Sequence, residues 1–205
     1  MKFLKTFSFI ILLCALSFSL YSMEQQLIII RHGEAGNNID KVYNSNPENP
    51  NYKPYHLTKN GVQTITTLAK KLRAQGFSND NIAAVYVSPL PRTQETAAIL
   101  VKQGLVSKDK IILDKRLIEL NAGDLEAKPT FAVWKPSFAE EYHAESEDQV
   151  KDRVKEFYNS ILDQYPEGNI IVVTHGLASQ DLIELVTHQI VKLNPGEAKV
   201  IPLRE

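Results

Sequence analysis

The sequence predicts an α/β domain, a three-layer α/β/α sandwich around a mostly parallel central sheet. Three observations lead there. Residues 27–30 (LIII), 84–87 (AVYV) and 170–173 (IIVV) are short unbroken aliphatic runs, the pattern of strands covered on both faces rather than of strands with one wet face. Segments with apolar residues at helical spacing lie between and after these runs. Strands alternating with helices make crossover connections, and those place helices on both sides of a parallel sheet. A length of 205 residues is enough for one domain with a sizeable core.

The elements follow in chain order. Residues 1–22 carry Lys2 and Lys5 without an acid, then an apolar run over 6–20, then Tyr21-Ser22; that is the layout of a secretory signal. The expectation is an exported, periplasmic or secreted protein whose domain spans 23–205. An uncleaved membrane anchor and a cytoplasmic start at Met23 are the alternatives. The run is shorter than the roughly 20 apolar residues of a spanning helix. The single cysteine, Cys14, falls in this leader, so the domain has no disulfide framework. After the first strand, 36–56 is rich in Asn, Pro and Tyr and reads as a long functional loop. Thr58 is a helix N-cap, Val62, Ile65, Leu68, Ala69 and Leu72 form the apolar stripe, and Gly76 is the stop. Pro91 opens a second helix that runs to about 103 and ends at Gly104. Residues 111–113 are a weaker strand candidate, and 126–145, with Trp134, is a second loop at the rim of a site. Ser146 and Gln149 form a capping box ahead of Val150, Val154, Phe157, Ile161 and Leu162. A fourth helix spans about 177–190, and 200–201 is a weak last strand.

In open α/β sheets ligands bind beyond the carboxyl ends of the strands. The residues there are Arg31-His32-Gly33-Glu34, Ser88 to Arg92, and Thr174-His175-Gly176. Two imidazoles and two guanidiniums thus converge on one sheet edge. Guanidinium is a planar, permanently charged fork suited to phosphate oxygens. A neutral imidazole can attack phosphorus, and a second can donate to the oxygens as charge spreads.

These blocks, with Asn38, Leu57-Thr58 and Gly61, the SPLPRTQETA run over 88–97 and Leu117-Ile118-Glu119, resemble the histidine phosphatase superfamily, in its phosphoglycerate-mutase-like branch. The resemblance covers essentially the whole domain in the family's order. It implies a phosphoglycerate mutase-like fold and a set of roles. His32 is then the nucleophile that forms a phosphohistidine. Arg31, Arg92 and His175 bind the phosphoryl oxygens, with Asn38 helping. Glu119 is the acid that protonates the leaving oxygen and then activates water. Ser146 and Arg153 take structural roles. The chain has His175-Gly176 where the acid-phosphatase branch has His-Asp, which is why the acid is expected at Glu119.

The expected activity is hydrolysis of a small phosphate monoester. The alternatives are a phosphoglycerate mutase and a non-catalytic phosphoryl-binding module. No cofactor is expected, and no metal, since His56, His143 and His188 lack ligand spacing. With 23 Lys+Arg against 24 Asp+Glu, no nucleic-acid partner is expected either, and the domain is not expected to insert in a membrane. Glu34 reads equally as structural or catalytic, and Glu126 as structural. Trp134 belongs to the core or lines the rim. Asn44, Asn46, Asn49 and Asn51 read as turn residues. Lys41, Lys53, Lys128 and Lys135 are candidates to meet further anionic groups on a substrate.

Overall fold

Alternate residues of each central strand point to opposite faces, so an unbroken aliphatic strand needs cover on both. A computed structural model, which describes residues 24–131 and 133–204, shows this arrangement. The leader expected over 1–22 lies outside the described residues. β1 (Gln26–Arg31), β2 (Ile82–Val87), β3 (Ile111–Leu113), β4 (Asn169–Thr174) and β5 (Ala198–Pro202) form one sheet in the order β3-β2-β4-β1-β5. All neighbours are parallel except β5, which runs antiparallel to β1. The helices are α1 (Gly36–Asp40), α2 (Lys59–Ala74), α3 (Pro91–Lys102), α4 (Phe138–Glu141), α5 (Glu147–Gln164) and α6 (Gly176–Thr187). None of the described helices is long and apolar enough to cross a membrane.

Strand residues divide between two cores by parity. Leu27, Ile29, Tyr86, Ile170 and Val172 pack with Val150, Val154 and Phe157 of α5 and Leu182 and Ile183 of α6. Ile28, Ile30, Val85, Val87, Ile171 and Val173 pack on the other side with Ile65, Ala69 and Leu72 of α2 and Leu100 of α3. Each such side chain contributes roughly 1.5–3 kcal/mol by leaving water. Thr58 caps α2 by accepting the Gly61 N–H at 3.0 Å, and the Ser146–Gln149 capping box is present at α5. Gly33 and Gly61 meet backbone to backbone. A Cβ on Gly61 would stand 2.1 Å from the Glu34 carbonyl oxygen, so only glycine permits this contact.

Three expectations need correction. Val62 is 43% exposed rather than core-facing, because the buried stripe of α2 runs through Gly61, Ile65, Ala69 and Leu72 and Val62 falls beside it. The last helix stops at Thr187, three residues early, because His188 turns left-handed at φ 55° and closes the end on the Glu184 carbonyl. The loop over 36–56 also holds one helical turn, α1, ended by Lys41 at φ 53°. The two rim loops join each other: Tyr43 N–H donates to the Lys128 carbonyl at 3.0 Å and Thr130 N–H to the Lys41 carbonyl at 2.8 Å.

Candidate active site

The register of β1 on β4 builds the centre. Arg31 pairs with Thr174, so the next residues, His32 and His175, leave the sheet side by side. Their rings lie 5.1 Å apart at 63°. His32 N–H donates to the Thr174 carbonyl at 3.0 Å, which continues the ladder one residue into the site. From the neighbouring strand β2 the chain passes through Ser88 to Pro91 at the start of α3, and this turns Arg92 inward until it is 1% exposed.

Each polar group is oriented by a specific partner. His32 Nδ1 lies 2.7 Å from the Gly33 carbonyl, which can only accept, so the ring proton sits on Nδ1 and Nε2 carries the lone pair. Arg92 Nε–H points at that Nε2 from 3.1 Å. Burial, then the charges of Arg92 and Arg31, hold the His32 pKa well below 6.5 and keep the ring neutral. Arg92 itself is clamped by Asn44, donating Nη1–H to its side-chain oxygen at 3.0 Å and Nη2–H to its carbonyl at 2.8 Å. Burial brings the Arg92 pKa down to about 10, with Glu119 opposing, so it keeps its charge at neutral pH. Arg31 gives Nη1–H to the Leu193 carbonyl at 2.7 Å. His175 has Nε2 2.7 Å from the Ser88 hydroxyl. Burial and the Arg92 charge hold its pKa well below 6.5 too. Arg31 Nε and His175 Nδ1 are buried with no protein partner.

Glu119 sits across the cleft on the N-terminus of α6. Its Oε2 accepts the Gly176 N–H at 2.9 Å and the Leu177 N–H at 3.4 Å, and its Oε1 accepts the Leu120 N–H at 3.0 Å. Asn38 lines the same cleft; its Oδ1 accepts the Ala35 N–H at 2.9 Å, which leaves the NH₂ as the group it can offer a ligand. The cleft has a volume of about 530 Å³, and Arg31, His32, Asn38, Arg92 and Glu119 all line it. His175 is fully buried beside His32 rather than on the cleft wall. All six residues singled out in the sequence therefore come together. A guanidinium about 4 Å from one unit of negative charge on a phosphate contributes about 4 kcal/mol of Coulomb energy at an effective dielectric of about 20, before desolvation.

The other candidates separate. Glu34 accepts the Thr58 hydroxyl at 2.6 Å and holds the start of α2. His56 pairs with Glu95 and His143 with Asp124, both at the surface. Arg153 grips Glu145 with two N–H groups, at 2.6 and 3.0 Å. Of the four lysines, only Lys41 lines the cleft. Among the described residues no three His, Cys, Asp or Glu side chains are grouped to hold a metal ion.

Sequence reasoning missed Asn44 and the manner in which Glu126 is structural. Asn44 is 4% exposed and holds Arg92, so it is no mere turn residue. Glu126, fully buried, accepts N–H groups from Ser45 at 3.1 Å, Asn46 at 3.3 Å and the Asn44 side chain at 3.2 Å. Burial pushes its carboxyl pKa up, and those bonds oppose the rise. Thr96 also buttresses the centre, its hydroxyl accepting the Gly33 N–H at 3.1 Å.

The chain is similar to known proteins over most of its length. The chain is 27% identical over 173 residues to the "Probable phosphoglycerate mutase GpmB" of Cronobacter sakazakii, covering 78% of this chain and 74% of that one. It is 29% identical over 171 residues to the 5''-phosphoribostamycin phosphatase of Niallia circulans, covering 76% and 75%. The structure of Bacillus stearothermophilus YhfR shares the fold, with a TM-score of 0.67 at 24% identity over 86% of this chain and 90% of that one. The model of the histidine phosphatase superfamily, branch 1, matches residues 27–202. The chain is an enzyme of the histidine phosphatase superfamily, branch 1.

Proposed function

We propose that the protein hydrolyses small phosphate monoesters through a covalent phosphohistidine on His32. The observation that carries this reading is the orientation of His32. Its Nδ1 is fixed on Gly33 and the ring is neutral, with Arg31 Nε–H and His175 Nδ1, both without a protein partner, in the same buried centre. With the Ser88 hydroxyl taken as donor to His175 Nε2, the ring proton is on Nδ1.

In the first step Nε2 of His32 attacks phosphorus while the bond to the leaving oxygen breaks. Glu119 gives its carboxyl proton to that oxygen, and the alcohol leaves. Arg31, Arg92, Asn38 and His175 hold the phosphoryl oxygens as charge shifts onto them. In the second step water attacks phosphorus, Glu119 takes its proton, the N–P bond breaks, and inorganic phosphate and neutral His32 are regenerated. The chain supplies every role in this sequence, so no metal ion is invoked. Mutases use the same centre and return the phosphoryl group to a bound intermediate. The short interval between Glu119 and Ser146 leaves little chain to enclose one, which favours hydrolysis.

The substrate class rests on relatives: one is named for a phosphorylated small molecule. The leader over 1–22 supports export, and fractionation of cells expressing the full chain, with N-terminal sequencing of the product, tests it. For the chemistry, steady release of p-nitrophenol from its phosphate ester with no phosphoglycerate isomerisation is expected. His32→Ala should abolish release and leave vanadate binding partly intact, and turnover at the wild-type rate would overturn the assignment.

A further inference from the structure

Beyond the phosphate centre the cleft has an outer part that this chemistry leaves unused. The paired rim loops set three aromatic rings side by side there. Tyr43 lies 5.7 Å from Trp134 at 73° and 6.3 Å from Phe131 at 55°. Tyr43 OH also accepts the Phe131 N–H at 3.1 Å, which fixes the two loops to each other. Phe138, buried, backs the wall at 4.9 Å from Phe131 and 5.4 Å from Trp134. Tyr43, Phe131 and Trp134 line the same cleft as His32 and Glu119, and Phe131 stays 45% exposed.

Two residues that line this cleft each carry a polar atom buried without a protein partner: Trp134 Nε1, which can only donate, and Asn37 Oδ1, which can only accept. The ionic groups of the outer wall are Lys41 and Glu147, of opposite sign. Both guanidiniums are placed at the phosphate. A second anionic group on a substrate would therefore meet a wall with one lysine and one carboxylate, whereas an apolar ring would cover exposed aromatic surface, with edge-to-face contacts available.

We propose that the site takes the phosphate monoester of an uncharged, ring-bearing alcohol whose ring lies against Tyr43, Phe131 and Trp134. This substrate class rests on the assignment of His32 and Glu119 to phosphate transfer.

The test compares 2-phenylethyl phosphate, glycerol 3-phosphate and 3-phosphoglycerate, all alkyl esters, so that leaving-group chemistry is held nearly constant. The expected kcat/KM for the phenylethyl ester is at least about tenfold above the other two, the scale of a well-filled apolar pocket. Trp134→Ala and Phe131→Ala each erase that preference and leave vanadate inhibition unchanged. Preference for either polar ester, or a preference that survives both substitutions, overturns the aromatic subsite alone. Absence of turnover of every ester together with absence of vanadate inhibition overturns the phosphate chemistry, and the subsite with it. Trp134 is the only tryptophan of the chain, which gives a readout independent of the wall substitutions. In His32→Ala, saturable quenching by 2-phenylethyl phosphate and none by inorganic phosphate is expected. No response to the phenylethyl ester refutes the proposal.

Discussion

Glu119→Gln separates the two halves of the reaction. The glutamate is held by three backbone N–H groups, at 2.9 Å from Gly176, 3.4 Å from Leu177 and 3.0 Å from Leu120. Glutamine has the same shape, and its single carbonyl oxygen can keep the Gly176 bond, while its NH₂ gives up the bond from the Leu120 N–H. What disappears is the transferable proton. General acid catalysis is worth roughly 10²–10⁴ in rate, or about 3–5 kcal/mol. That full loss is expected in kcat/KM for alkyl phosphates, whose alkoxide cannot leave unprotonated. For p-nitrophenyl phosphate, whose phenolate leaves without a proton, kcat/KM should fall by less than about tenfold. Hydrolysis of the phosphohistidine still needs Glu119 as base, so stopped-flow traces of the variant should show a nitrophenol burst followed by a slow steady rate. Vanadate affinity and thermal stability serve as controls for the fold. Equal losses in kcat/KM on both ester classes, with no burst, would place the acid elsewhere.

Other outcomes follow from the buried charges. Because burial and the two arginines hold His32 and His175 well below 6.5, ring NMR signals of both should remain those of neutral imidazole at pH 6; midpoints at 6.5 would contradict the site electrostatics. In the unfolded chain both rings titrate near 6.5. The unfolded state therefore binds more protons below that pH, and stability is expected to fall as pH drops through 6.5 and beyond. Glu126→Gln weakens the seat of residues 44–46, and with it the Asn44 clamp on Arg92. It should lower stability by about 1–3 kcal/mol and reduce vanadate affinity, non-additively with Asn44→Ala, and strict additivity would break the chain of contacts. Asp181 on α6 has both carboxylate oxygens buried without a partner, and burial raises its pKa to about 7. The unfolded chain ionises first, so stability falls as pH climbs from the free-Asp range at about 4 to about 7 and is level above it; Asp181→Asn should gain about 1–2 kcal/mol at pH 8 and clearly less at pH 5. Equal gains in melting temperature at both values would refute that origin.

The parallel core was legible because its cause is local. Ile170 to Val173 has no polar position to spare, and only two-sided cover explains such a run. The site was legible for the same reason, since Arg31-His32, Ser88 to Arg92 and His175 each sit directly after a strand, where topology dictates proximity. Asn44 and Glu126 were not legible. Asn44 meets Arg92 48 residues away and Glu126 82 residues away, and Glu126 acts through a loop some 80 residues before it. Nothing in the composition of either neighbourhood announces those partners. Val62 obeys the helical period as well as Ile65 does, yet it falls at the rim of the helix–sheet contact, an angle that periodicity does not specify. His188 closed its helix in a left-handed conformation that bulky side chains adopt rarely, so the position held no ordinary stop signal.

The central claim is that His32 Nε2 carries the phosphoryl group between substrate and water. Mixing the enzyme with a ³²P-labelled monoester, quenching in base within the first turnover and mapping the labelled peptide tests it directly. The expected result is label on His32 as an acid-labile, base-stable phosphoramidate, and none in His32→Ala. Label on another residue, or continued turnover with no labelled protein and inversion at phosphorus, would contradict it.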